Sequence, residues 1–209
     1  MANLLTEIRD FVRFFFKTPE EEKAVVFYSE HEGYYSYFEG LIEELVTKYE
    51  QPLCYVTSDP LDPTLAASVP KIKTFYINKL LILFMQVVKC KILIMTLTDL
   101  NNYHIKRSIY PVHYIYVFHS FVSVHMMYRF GAFDHYDTMF CAGPHHINEI
   151  QKHVHLYGGE KKEVIESGYY RLERIYEAYK DFLDPRLSIN NGSTILIAPS
   201  WGSENLLKS

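Results

Sequence analysis

The sequence predicts an α/β domain built on a doubly wound, mostly parallel sheet. Three observations lead there. Short apolar, β-branched and aromatic runs recur along the chain: KAVVFY at 23–28, PLCYVT at 52–57, KILIMTL at 91–97, VHYIYVF at 112–118 and DTMFCA at 137–142. They run on without a regular apolar/polar alternation, which is the pattern of strands buried on both faces. Stretches with helical spacing of apolar residues separate most of them, and strands that alternate with helices in this way assemble into parallel sheets.

The elements follow in order. Leu4, Ile8, Phe11, Val12 and Phe15 recur at helical spacing, and Thr18-Pro19 ends that helix. Its apolar face has two readings: packing on the domain or a partner, or seating on an anionic membrane through Phe14, Phe15 and Phe16 with Arg9, Arg13 and Lys17. The strand Lys23 to Tyr28 ends in the loop Ser29-Glu30-His31-Glu32-Gly33, at the strand end where open α/β sheets bind ligands. Tyr34 to Tyr49 reads as a helix with Phe38, Leu41, Ile42 and Leu45 inward. The second strand, Pro52 to Thr57, leads into a loop from Ser58 to Pro70 that carries three prolines. Lys73 to Ile77 is a short strand, and Asn78 is expected to cap a helix through Val88. Lys91 to Leu97 and Val112 to Phe118 are buried strands joined by residues 101–110. Asp137 to Ala142 is another, and Gly143-Pro144 opens a helix to about Tyr157. Val164-Ile165 is a brief strand and Tyr170 to Phe182 a helix. A linker rich in Pro, Asn, Gly and Ser spans 184–193, and TILIA at 194–198 reads as the first strand of a second α/β domain. The expected organisation is thus a helix at 1–18, a domain at 19–183, a linker at 184–193 and the start of a second domain at 194–209.

Composition narrows the function. The 209 residues carry a net charge of −4 with both signs mixed, which disfavours nucleic-acid binding, since that needs a basic stripe to neutralise phosphates. The three cysteines are far apart in apolar runs with no CxxC, which points to buried free thiols. No run approaches the ~18 apolar residues of a membrane span, and Glu7, Arg9, Asp10 and Arg13 interrupt the first helix, unlike a signal peptide. The expected location is the cytoplasm, at the inner face of the cell membrane if the first helix meets lipid.

Seven of the ten histidines lie between His119 and His155, so that segment is where chemistry is sought. His119-Ser120 stands at the tip of a parallel strand, and a histidine titrating near neutrality suits a general base acting on a hydroxyl. Gly143-Pro144-His145-His146 opens a helix whose amides and dipole favour an anion such as a phosphate. Metal ligation is disfavoured: the adjacent His145 and His146 point to different helix faces, and there is no HExxH or paired-Cys pattern. GxGxxG, the phosphate-loop lysine motif and GxSxG are also absent. Asp134 and Asp137 read as turn and strand-entry residues, with Asp134 also a candidate to orient a histidine.

Four segments stand in a telling order: the strand ending in His119-Ser120, FDHYDTMFCAGPHHINEI, GYYRLERI and ILIAPSWG. Over residues 110–202 this order resembles the CDP-glycerol glycerophosphotransferase-like family, which includes teichoic-acid polymerases and related surface-carbohydrate enzymes. The resemblance implies two Rossmann-like domains across a cleft, the GT-B arrangement, with this chain as the N-terminal, acceptor-side half. It implies that His119 is the base for the acceptor hydroxyl, with Ser120-Phe121 where the family has Gly-Thr. It relates Gly168-Tyr169-Tyr170-Arg171-Leu172-Glu173 to Gly-x-Pro-Arg-x-Asp, and Ala198-Pro199-Ser200-Trp201-Gly202 to Ala-Pro-Thr-Trp-Arg. Ser120, Gly143, Pro144, His145, Arg171 and Ser200 become the expected substrate-binding residues. These departures fit a divergent surface-polysaccharide branch. No cofactor or metal is implied. The donor would be CDP-glycerol or a nucleotide sugar, and the acceptor a polyol phosphate or glycan, free or lipid-linked. Such a half would be inactive without its donor domain. Two other readings stay open: a non-catalytic binding or assembly module, and a sugar-nucleotide 2-epimerase, which needs acidic residues in the cleft.

Overall fold

The computed structural model describes residues 4–158 and 162–182. The expected linker, the strand at 194–198 and Ser200 lie outside the described residues.

Seven strands form one sheet: β1 Val25–Ser29, β2 Leu53–Thr57, β3 Ile72–Tyr76, β4 Ile92–Met95, β5 His113–Val117, β6 Thr138–Cys141 and β7 Glu163–Glu166. Their order is β3-β2-β1-β4-β5-β6-β7, and every neighbouring pair is parallel. The doubly wound sheet read from the sequence is therefore present, parallel throughout. The helices are α1 Leu4–Val12, α2 Tyr35–Thr47, α3 Leu81–Val87, α4 Val124–Met127, α5 Pro144–Tyr157 and α6 Tyr170–Phe182. The sheet, α1 to α5 and the first residues of α6 belong to one compact unit that ends at Arg174; α6 from Ile175 onward belongs to a second.

Side-chain alternation divides the strands between two cores. Val26, Tyr28, Cys54, Val56, Leu93, Met95, Tyr114, Tyr116 and Met139 face one side, with Phe14, Phe84, Met85 and Ile150. Val25, Phe27, Leu53, Tyr55, Ile94, Ile115 and Val117 face the other, under Phe38 and Ile42 of α2. Phe14 is fully buried, its ring edge-on to Phe75 and Phe84 at 5.2 and 4.9 Å. Burial of such a ring contributes roughly 2–3 kcal/mol.

Long-range polar bonds set the strand entries. Arg107 reaches both Asp137 carboxylate oxygens and donates to the Val112 and His135 carbonyls, and Asp137 accepts from the Tyr114 amide at 2.7 Å. Asp137 is thus the strand-entry residue its position suggested. Asp134 makes no hydrogen bond to a histidine among the described residues; its carboxylate lies against Gly131, so it orients no imidazole. Asn78 does not act as the expected cap. α3 starts at Leu81, and the Asn78 side chain donates to the Ser58 carbonyl. The capping acceptor is Glu7 of α1, which takes the amides of Asn78 and Leu80 at 2.6 and 2.7 Å. A carboxylate from 71 residues away displaces the local side chain because a charged acceptor makes the stronger bond.

Candidate functional site

The strand order reverses direction once. From β1 the chain winds outward to β2 and β3, and from β4 outward to β5, β6 and β7. Beyond the C-terminal ends of β1 and β4, connections therefore leave to opposite sides and a crevice remains, the place where open parallel sheets bind ligands. Ser29-Glu30 emerges there from β1, Thr96-Leu97 from β4 and Phe118-His119 from β5.

Several buried polar groups at this edge lack partners. Thr96 Oγ1, the Tyr116 hydroxyl and His119 Nδ1 are buried and make no hydrogen bond. Tyr116 and Tyr128 hydroxyls are close enough to shift each other's pKa, without hydrogen-bond geometry. Two further orphaned atoms lie elsewhere in groups that are otherwise engaged. Arg13 bonds the Thr74 carbonyl through Nη2, and Glu22 ion-pairs with Lys73. Native proteins leave few buried polar atoms unpaired, so three at one edge make this edge the candidate site.

Glu30 completes the edge. Burial raises its carboxyl pKa; burial also raises those of Tyr28, Tyr34, Tyr116 and Tyr136, and the charge of Glu30 adds to each. Burial lowers the pKa of His119, so its imidazole is neutral near pH 7. Tyr34 and Tyr37 flank the ring, with centroids 5.3 and 5.9 Å away. The Tyr169 hydroxyl donates to the His119 carbonyl at 2.8 Å and holds the strand tip from the far side. Tyr169 is positioned by Gly168, whose φ of +73° favours glycine, and by Phe121 at 4.2 Å. Tyr170 packs over Gly40 of α2 in a space that a Cβ there would fill.

The expected site residues separate into groups. Arg171 joins the His119 neighbourhood, donating to the Tyr37 hydroxyl at 2.5 Å. Ser120 is adjacent in sequence, but its hydroxyl accepts from the Val122 amide at 3.3 Å and so shapes the turn. Gly143 and Pro144 open α5 as read, with Gly143 fully extended at φ 179°. The His145 ring folds back toward Gly143 and is exposed, and the His146 amide already bonds the Gly143 carbonyl, so part of the expected anion cradle is used within the chain. His146, not assigned a role from sequence, is fully buried. Its Nε2 meets the Val122 carbonyl at 3.0 Å and its Nδ1 accepts from the Ala142 amide at 3.4 Å. Those partners define the neutral Nε2–H tautomer, and burial lowers its pKa. His146 thereby ties the loop after β5 to the turn after β6.

Glu149 supports the same loop. It accepts from Ser123 Oγ at 3.0 Å and from the Val124 and His125 amides, and so caps α4. Desolvation pushes its pKa up, but these bonds together outweigh it and the net shift is downward. A pocket of about 490 Å³ lies beyond α4, walled by Tyr128, Phe130, Phe133, Met139, His153 and Tyr157. It does not include His119.

Among the described residues no group of three or more His, Cys, Asp and Glu is placed to hold a metal ion, and no helix is long and apolar enough to cross a membrane. Cys54, Cys90 and Cys141 are free, and burial pushes each thiol up to about 12.

Glu30, Thr96 and Tyr116 escaped the sequence reading. The loop after β1 pointed to the ligand edge, but nothing in one dimension shows that β1 and β4 are neighbours. Compared with models of protein families, curated protein sequences and solved structures, the chain finds no match.

Proposed function

We propose that the crevice is the acceptor-side site of a transferase of cell-envelope polymer synthesis, with His119 as general base. The observation that supports this most is the set of unpaired polar atoms at the switch point beside a neutral, partly buried imidazole. In this reading His119 takes the proton of an acceptor hydroxyl as that oxygen attacks a nucleotide-activated donor. With CDP-glycerol, the new bond forms to the phosphorus bearing glycerol, the bond to the bridging oxygen breaks, and CMP leaves. With a nucleotide sugar, the attack is on the anomeric carbon and the nucleoside diphosphate leaves. Arg171, bonded to Tyr37, would meet negative charge on a polyol phosphate acceptor. The family resemblance supports the donor class, and the unpaired polar atoms at the crevice support the acceptor hydroxyl.

The test is acceptor-dependent nucleotide release from CDP-glycerol or UDP-sugars by this chain supplied with a donor domain, as wild type and as His119→Ala, together with the His119 imidazole NMR signal of the chain itself on addition of glycerol phosphate. A loss of turnover of at least about a hundredfold, with wild-type thermal unfolding and a ligand-induced shift of the imidazole signal, is expected. Full activity in His119→Ala would sink the assignment.

One observation favours a second reading. Glu30, half-buried at the end of β1 with its carboxyl pKa raised by burial, would be the acid that an epimerase of the sugar-nucleotide 2-epimerase type requires. Inversion of a nucleotide sugar without any acceptor, lost in Glu30→Gln, would support that chemistry over group transfer.

A further inference from the structure

The first helix is turned inside out. A surface helix normally buries its apolar stripe and exposes its charges. In α1 the acids go in: Glu7 is 1% exposed and Asp10 3%. Glu7 caps the entry to α3, and Asp10 accepts the Tyr76 amide at 3.0 Å beside the outer strand β3. Phe14 completes the inner face.

This leaves the apolar residues outside. Leu5, Ile8, Val12 and Phe16 follow at spacings of three and four and form one exposed stripe; Leu5 is 73% and Phe16 81% exposed. α3, whose entry α1 caps, adds exposed Ile82 and Leu83. Cations line the rim. Arg9 is exposed although it touches Asp10, and Lys17 and Lys79 are exposed too. No acidic side chain is exposed between Leu4 and Lys17, in a chain whose net charge is −4.

We infer that this face docks on an anionic lipid surface, with the Leu5–Phe16 stripe set into the headgroup boundary and Arg9, Lys17 and Lys79 on lipid phosphates. Charge decides among occupants. A second copy would bring the same cations against these, whereas an anionic bilayer offers apolar depth and negative charge together. The helix is held by buried bonds that do not involve the stripe, so it presents a preformed face. The inference does not depend on the chemistry of the crevice.

The experiment is sedimentation of the full chain with vesicles of phosphatidylcholine alone and with phosphatidylglycerol added. Binding to the anionic vesicles, little to the neutral ones, and weakening with added salt are expected. Leu5→Ser with Phe16→Ser should reduce binding at least about tenfold, with an unchanged circular dichroism spectrum because both side chains are exposed. Absence of binding to anionic vesicles, or equal binding by the double variant, overturns the inference. A wild-type dimer in light scattering that the double variant dissolves would assign the face to a second copy and overturn it as well.

Discussion

Two regions bury polar side chains and treat them in opposite ways. Under α1, the Glu7 and Asp10 carboxylates each accept backbone amides, and the chain itself uses them up. At the crevice, Thr96, Tyr116 and His119 bury polar atoms that nothing in the chain satisfies. The difference separates structure from function: a paired buried group holds elements together, while an unpaired one costs stability and is retained for something that arrives later.

Substitutions sharpen the contrast. The largest effect is expected at Glu7→Ala, which strands the Asn78 and Leu80 amides and detaches α1 from α3. A loss of about 3 kcal/mol in urea unfolding is expected for bonds to a charged acceptor. His146→Ala removes the tie between the two loops and leaves a cavity, and about 2 kcal/mol is expected.

The pH dependence carries a sign. The folded-state pKa values of His119 and His146 are lowered, so in the window below the ordinary histidine value of 6.5 the unfolded chain binds more protons. Stability is therefore full above that value and falls as pH drops through it. Thermal melts between pH 8 and pH 5 should show this, and His146→Phe should flatten the slope. Glu30 acts in the other direction. Its raised pKa means that the native state holds its proton more tightly, so stability falls as pH rises through 4.5 until the folded carboxyl has ionised. Glu30→Gln should raise the melting temperature at pH 7, and the gain should vanish below pH 4.5. A lower melting temperature at pH 7 would place Glu30 among the paired, structural acids.

The smallest effect is at Tyr116→Phe. Removing an unpaired hydroxyl should leave stability within about 1 kcal/mol of wild type or raise it, and, if the proposed function holds, should weaken glycerol phosphate binding. A large destabilisation would show that the hydroxyl is paired in solution and would break the comparison.

The strands were legible because a strand covered on both faces is written as an unbroken apolar run, as in VVFYS and LCYVT. α6 was read to the residue, and α5 began at Pro144 as its Gly-Pro start implied. The place of His119 just beyond β5 was legible because a strand tip is a local feature. The apolar spacing of the first helix was misleading, because the face that carries Glu7 and Asp10 is the buried one. Only the sheet edge and the entry to α3, which need those acceptors, reverse that expectation. His146 stayed hidden behind His145 for the same reason: its partner, the Val122 carbonyl, lies 24 residues earlier.

By itself the sequence determined the elements, their alternation and hence a parallel α/β sheet, because periodicity and turn residues act over a few positions. Only the tertiary structure decided that β1 and β4 are neighbours, that α1 faces outward with its leucines, and which buried polar atoms go unpaired. Each of these is settled by hydrogen-bond partners distant in the chain, and their identity is a property of the packed molecule.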